Sequence, residues 1–235
     1  MKKYLSILMV IAVLFSFAAC SNNAKSTKTE TTANTTEMQK TENTEASASV
    51  SGKTLVVYFG VPEDVDTNDV DAVAGASIVV KDGEKVGNIQ YVADIIQKNT
   101  GADLFRIEPE TPYTTDHKDL VDLAKEEQNS NARPQIKNSI ENFEQYDTVF
   151  VGYPNWWGDM PQIMYTFFDA YDFTGKTIIP YNTHGGSGFS NTISTIKNLE
   201  PNANVNEDGY TVSRNNVNES ESEIIAWLDD LGYNK

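Results

Sequence analysis

The chain has 235 residues, with 34 acidic and 18 basic side chains and a formal charge of −16. So acidic a chain lacks the basic surface that phosphate backbones require, which excludes nucleic acid as a partner. Its one cysteine, Cys20, leaves no material for an intramolecular disulfide or a thiolate metal cluster.

Met1-Lys2-Lys3 opens the chain, followed by an apolar run from Tyr4 to Ala19 and then Cys20. About 16 apolar residues fall short of the ~20 that span a bilayer as a helix, and small residues precede the cysteine, as in a bacterial secretion signal. Residues 1–19 are therefore read as a lipoprotein signal peptide. Cys20 is read as the lipidated residue, anchoring the protein extracytoplasmically to the cell membrane. Loss of Lys2 and Lys3 with the signal would take the formal charge to about −18. Residues 20–52 are dominated by Ser, Thr, Asn, Glu, Lys and Ala without apolar periodicity. They cannot bury enough surface to offset their ordering entropy and are predicted to be a disordered linker with a reach of about 30 Å.

From Lys53 to Lys235, short β-branched runs alternate with helical patterns, which predicts a single α/β domain with a parallel sheet covered on both faces. Thr54–Phe59 is the first strand. A long insertion follows, in which Ile78–Val80 and Lys85–Val86 flank a Lys81-Asp82-Gly83-Glu84 turn and predict a hairpin. Tyr91–Lys98 is helical, with Val92, Ile95 and Ile96 facing inward. Asp103–Ile107 is the second sheet strand, Asp116–Gln128 a helix, and Thr148–Gly152 a third strand apolar enough to be buried on both faces. Met160–Tyr171 reads as helix and Thr177–Tyr181 as the fourth strand. Pro180, having no N–H for the ladder, is expected to mark that strand's end. Ser190–Leu199 is helical, Tyr210–Ser213 a fifth strand, and Glu219–Leu231 the closing helix.

In such a sheet, ligands bind beyond the carboxyl ends of the strands where the strand order reverses, so the loops after strands one, three and four carry the functional information. After strand three comes Gly152-Tyr153-Pro154-Asn155-Trp156-Trp157-Gly158-Asp159-Met160-Pro161. Two tryptophans between glycines and prolines suit a platform for a flat ligand. The alternative is that both indoles cap the core, but adjacent ones on a turn do not easily point the same way, so at least one is expected to face the cleft. After strand four comes Asn182-Thr183-His184-Gly185-Gly186-Ser187-Gly188, whose glycines let the backbone approach a ligand closely. His184 has no companion acid, nucleophile or metal ligands at a telling spacing, which favours a hydrogen-bonding or loop-ordering role over catalysis. His117, in a polar stretch at a helix start, is read as solvent-facing.

These segments resemble the flavodoxin-like family, in particular a branch with Tyr-Pro-x-Trp-Trp-Gly and Thr-His-Gly-Gly-Ser segments. Gly101 to Pro109 and Asn131-Ala132-Arg133-Pro134 are similar to further motifs of that branch. The resemblance spans Lys53–Lys235. It implies a three-layer, doubly wound, five-stranded parallel sheet of order 2-1-3-4-5, here with a hairpin-like insertion after strand one. It also implies FMN as cofactor, with Pro154, Asn155, Trp156, Trp157, Gly158, Thr183, His184, Gly185, Gly186 and Ser187 around its ring. The phosphate loop departs from the family pattern. Gly87-Asn88 matches the motif's tail, but Ile89 replaces a threonine and the earlier hydroxyls are missing. Asp71-x-x-Ala-Gly-Ala-Ser77 resembles the acceptor motif at which a flavin transferase attaches FMN through a phosphoester. Ser77 is therefore a candidate for covalent attachment, for a non-covalent phosphate contact, or for a purely structural turn.

The implied function is electron transfer through FMN to a redox partner protein or a small-molecule electron acceptor. An FMN-dependent NAD(P)H or quinone-type oxidoreductase, a flavin-binding lipoprotein without turnover, and a cofactor-free scaffold are the competing readings. A strongly acidic surrounding would disfavour the anionic reduced flavin and lower its potential.

Overall fold

The computed structural model describes residues 52–62, 77–81 and 83–233. The expected signal peptide, Cys20, the linker up to residue 51 and Asp71–Ala76 of the acceptor-like motif lie outside the described residues.

Strand β1 (Lys53–Tyr58) is followed by a hairpin of β2 (Ile78–Lys81) and β3 (Glu84–Gly87), which runs directly into α1 (Asn88–Thr100). Then come β4 (Asp103–Arg106), α2 (His117–Ser130), β5 (Tyr146–Pro154), α3 (Gln162–Ala170), β6 (Thr177–His184), α4 (Thr192–Leu199), β7 (Asn204–Val205), β8 (Tyr210–Ser213) and α5 (Glu221–Asp230). The main sheet is parallel throughout, in the order β4-β1-β5-β6, with β7 and β8 both pairing with β6. Its last position is thus shared by two short strands, and the layout is the expected 2-1-3-4-5.

Alternation along the strands feeds two cores. Leu55, Val57, Val149, Val151 and Ile178 pack with Ile163 and Phe167 of α3 and Ile196 of α4 on one face. Val56, Tyr58, Phe150, Ile179 and Tyr181 pack with Val92 and Ile96 of α1 and Ile224 and Leu228 of α5 on the other. Burial on both faces explains why β5 reads as a nearly continuous apolar run. Tyr181 crosses over Gly152 to donate its hydroxyl proton to the Val57 carbonyl at 3.1 Å, tying β6 to β1 across β5.

Pro180 does not end its strand. β6 continues to His184, and Pro180 pairs in register with Val151 of β5. On its other side, β7 reaches only Ile178 and β8 begins at Tyr181. The Ile178 and His184 carbonyls both accept from that edge, so residue 180 points the same way, and its missing donor falls in the gap between β7 and β8.

Helix ends follow local chemistry. The Asp116 carboxylate accepts from the Asp119 amide at 3.0 Å and caps α2. Gly101, at φ 66°, closes α1 in the left-handed conformation. The start of α1 has no side-chain cap, which leaves amides of its first turn for another partner.

Candidate functional site

A cleft of about 160 Å³ lies at the carboxyl ends of β5 and β6, beside the point where the chain order reverses between β1 and β5. Its floor is Pro154 and Thr183, which pair across β5 and β6. One wall is the tryptophan loop and α2, the other the His184-Gly185 segment and Arg214. Ser77 and Asn88 close the end nearest α1, where a narrow extension continues past Gly87 and Ile89 to Arg106.

The tryptophan loop is a tight turn. Trp156 and Asp159 exchange both backbone hydrogen bonds, at 2.9 and 3.1 Å. The two central residues, Trp157 at φ 55° and Gly158 at φ 78°, both have left-handed backbones, the geometry of a type I′ turn. Glycine is the usual choice there; tryptophan is not, so the turn holds Trp157 under strain. The indoles diverge as expected. Trp156 meets Phe59 and Tyr113 edge-on, each at a centroid distance of 5.7 Å, and Tyr113 meets Phe59 at 5.4 Å. Trp157 is 53% exposed and leans on α2, donating from Nε1 to the Val121 carbonyl at 3.0 Å, with the Lys125 ammonium over its ring. Tyr113 in turn donates to the Glu127 carboxylate at 2.9 Å. Burial, and then that carboxylate, raises the Tyr113 phenol well above its ordinary range, so it stays protonated and the clamp on α2 persists.

Asn155 joins the two loops. Its Nδ2 donates to the Gly188 carbonyl at 2.8 Å and to Ser190 Oγ at 3.1 Å, and its Oδ1 accepts from the Gly158 amide at 3.0 Å. Asn182 supports the same turn through Nδ2 to the Gly188 carbonyl at 3.0 Å. His184 Nδ1 accepts from the Gly186 amide at 2.8 Å. The side chain therefore orders the glycine loop as a neutral imidazole, and burial lowers its pKa from the usual 6.5.

At the α1 end, the Asn88 amide donates to the Ser77 carbonyl at 2.8 Å. The Asn88 side chain is 2% exposed, yet its Oδ1 has no partner, and Arg214 Nε is likewise buried and unpaired. An orphaned buried polar atom is costly; two of them on one cleft mark places for a ligand's polar groups. Among the described residues, no Asp or Glu lines the cleft or its extension, although the chain has 34 of them. The charged side chains there are Arg214 and Arg106.

Of the residues singled out from sequence, Ser77, Asn88, Pro154, Asn155, Trp156, Trp157, Thr183, His184 and Gly185 share this cleft, and Gly87 and Ile89 border its extension. The Ile89 side chain is a core residue, packed beneath Gly60. Gly158, Gly186 and Ser187 lie outside the wall and shape its loops. Sequence reasoning missed Arg214 and the α2 residues Leu120, Val121 and Ala124. His117, read as solvent-facing, is exposed but stands on the cleft rim.

A family model described as flavodoxin matches residues 78–231. A provisionally assigned flavoprotein from Bacteroides eggerthii shares 32% identity with a TM-score of 0.58, over 76% of this chain and 96% of its own. A second, from Bacteroides uniformis, shares 27% identity with a TM-score of 0.54, over 72% and 96%. A Lactobacillus acidophilus flavoprotein in complex with FMN shares the fold at 18% identity and a TM-score of 0.50, over 73% and 99%. No functionally curated protein matches the sequence.

Proposed function

Because the chain belongs to the flavodoxin family, we propose that residues 53–235 bind FMN in this cleft and pass electrons to a redox partner protein or a small-molecule acceptor. The domain would be exported and held at the membrane through lipid on Cys20. The observation that carries the flavin reading is the cleft itself. It has an aromatic wall held in a strained turn, a glycine-rich opposite wall, no carboxylate among its described lining residues, and two orphaned polar atoms. The aromatic and glycine walls suit a flat ring, the carboxylate-free lining and the donor Arg214 Nε suit an anion, and Asn88 Oδ1, an acceptor, suits a ligand hydroxyl. The Lactobacillus acidophilus protein of the same fold was crystallised with FMN. When bound, FMN supplies one- or two-electron redox chemistry.

The chain's own residues divide the work of holding it. Trp157, Trp156 and Gly185 offer surfaces to the ring, while Asn155 and His184 keep the two loops in place. Ser77 and the uncapped start of α1 offer a phosphate site, with Ser77 as the residue for a covalent link where one is formed, while Asn88 Oδ1, an unpaired acceptor, is placed for a hydroxyl of the cofactor. Gly158, Gly186 and Ser187 contribute through loop shape.

Absorbance from 350 to 500 nm, on protein exported by a bacterial host and measured before and after denaturation and desalting, tests the reading. Yellow colour released on denaturation supports non-covalent FMN. Colour retained by the chain, with a matching intact-mass increment abolished by Ser77→Ala, supports the covalent form. Colourless protein that also fails to bind added FMN refutes the flavin reading. A second function, an FMN-dependent NAD(P)H or quinone-type oxidoreductase, is favoured by the exposure of Trp157, which leaves one wall open to a small acceptor. Turnover with a soluble quinone separates it from a carrier.

A further inference from the structure

We propose that Arg214 makes the cleft prefer the reduced, negatively charged form of FMN, raising the midpoint potential against the trend set by the chain's overall acidity. This rests on the flavin reading above. Reduction adds two electrons and one proton to a neutral oxidised ring, leaving one net negative charge, so a cation beside the ring stabilises one redox state selectively.

The position of Arg214 is built. It follows β8, and its amide donates to the His184 carbonyl at 2.8 Å, which fixes the residue against the second cleft loop. Its guanidinium lies along Gly185: a Cβ added there would sit 3.5 Å from Cζ and 3.6 Å from Nη1. Nε is buried without a partner. Among the described residues, Arg214 makes no ion pair, and no carboxylate shares the cleft wall with it. A guanidinium has donors only, so Arg214 Nε lacks an acceptor that a ligand could supply.

Net charge alone predicts the opposite sign, because the chain carries −16. Surface carboxylates act through water, however, and are screened over a Debye length of about 10 Å at 0.1 M salt. A cation in the cleft wall would act on a ring seated in the cleft through a medium of lower effective dielectric than water, where the same charge is several times more effective. The local guanidinium therefore outweighs the distant acids.

The test uses the full chain and its Arg214→Gln, Arg214→Met and Arg214→Lys variants. FMN affinity is measured for the oxidised state, and the midpoint potential by dithionite titration against reference dyes. The neutral replacements are expected to lower the reduced-to-oxidised affinity ratio at least tenfold, about 30 mV downward for a two-electron couple, while Lys retains most of the wild-type value. A purely structural role would weaken both states equally and leave the ratio unchanged. A neutral variant that binds oxidised FMN with a ratio within twofold of wild type overturns the proposal, and so does a Lys variant shifted as far as Gln. Wild-type protein that binds FMN in neither state overturns the flavin reading and this inference with it.

Discussion

Replacing Asn155 by alanine removes the three hydrogen bonds through which one side chain holds both cleft loops: two donated to Gly188 and Ser190, one accepted from Gly158. Each is worth about 1 kcal/mol net. The loss does not grow into an orphan penalty, because the Gly188 carbonyl keeps its bond from Asn182 and Gly158 is exposed to water. With a discount for partial exposure, about 2 kcal/mol of local order is lost. If the ring requires both loops in their present places, FMN affinity should fall about 30-fold. The fall should accompany faster hydrogen exchange at Gly158 and Ser190, with little change in the core. Titration of apo-protein by flavin fluorescence quenching measures the affinity, and exchange mass spectrometry the loops. Asn155→Asp retains the acceptor for Gly158 but sets a carboxylate against the Gly188 carbonyl, and should bind no better than the alanine variant. An alanine variant with loosened loops but an affinity within twofold of wild type would refute the coupling of loop order to binding.

Trp157→Asn should trade function for stability. Asn tolerates the left-handed backbone, so about 1–3 kcal/mol of strain is relieved against about 1 kcal/mol for the lost bond to Val121. The expected result is an equal or higher Tm with FMN affinity reduced at least tenfold; a large drop in Tm with unchanged affinity would contradict it. Gly152→Ala should destabilise by about 1–3 kcal/mol, since its Cβ would meet the buried Tyr181 ring at 2.1 Å. Urea denaturation should show a smaller penalty when Tyr181→Leu is present, and additive penalties would count against the clash. Acid should loosen the glycine loop through His184. Because burial lowers its folded pKa below 6.5, the unfolded state binds more protons in that window. The contribution is complete above pH 6.5 and is lost as pH falls through the folded pKa. Exchange at Gly186 measured against pH should show this in wild type and not in His184→Gln.

The alternation of strand and helix was legible because strands buried on both faces leave long apolar runs, and because the turn after Lys81 has its glycine at φ 83°. The ends of β5 and β6 were not legible. Tyr153-Pro154 and Asn182-Thr183-His184 read as loops from their polar and proline content, yet they continue the ladder, with Tyr153 opposite Asn182 and Pro154 opposite Thr183. Asn182 and Thr183 can be buried there because the ladder uses their backbones and Asn182 bonds to Gly188 and Thr211. Pro180 misled because local chemistry does not reveal where a neighbouring edge strand breaks. Arg214 went unseen because it lies in an ordinary polar turn, Ser213-Arg214-Asn215-Asn216, and only the pairing of β8 with β6 sets it beside His184. A lone arginine at the carboxyl end of the fifth strand, in so acidic a chain, was the available signal.

The insertion after β1 has a positive role in this geometry. Pairing of β2 with β3 sets Ile78 opposite Gly87, so Ser77, ten positions before Gly87 in sequence, arrives at the first turn of α1, and its carbonyl takes the Asn88 amide at 2.8 Å. Ile78 and Val79 are almost fully buried, and Val79 belongs to the core that also contains Val92 of α1, which anchors the hairpin against the helix it precedes. A family member with a hydroxyl-rich loop reaches the phosphate position directly from the first strand. On the reading proposed above, Ser77 would bring a hydroxyl to the same helix end from the far side, on a hairpin held in place by the burial of Ile78 and Val79. Shifting the register of β2 against β3 by one residue would displace both Ile78 and Val79 from their buried places and withdraw Ser77 together with the Asn88 bond. Hairpin stability and the capacity of Ser77 to meet a phosphate should therefore fail together: Val79→Asp should remove phosphate-dependent discrimination between FMN and riboflavin, whereas Ser77→Ala should remove it with the hairpin intact.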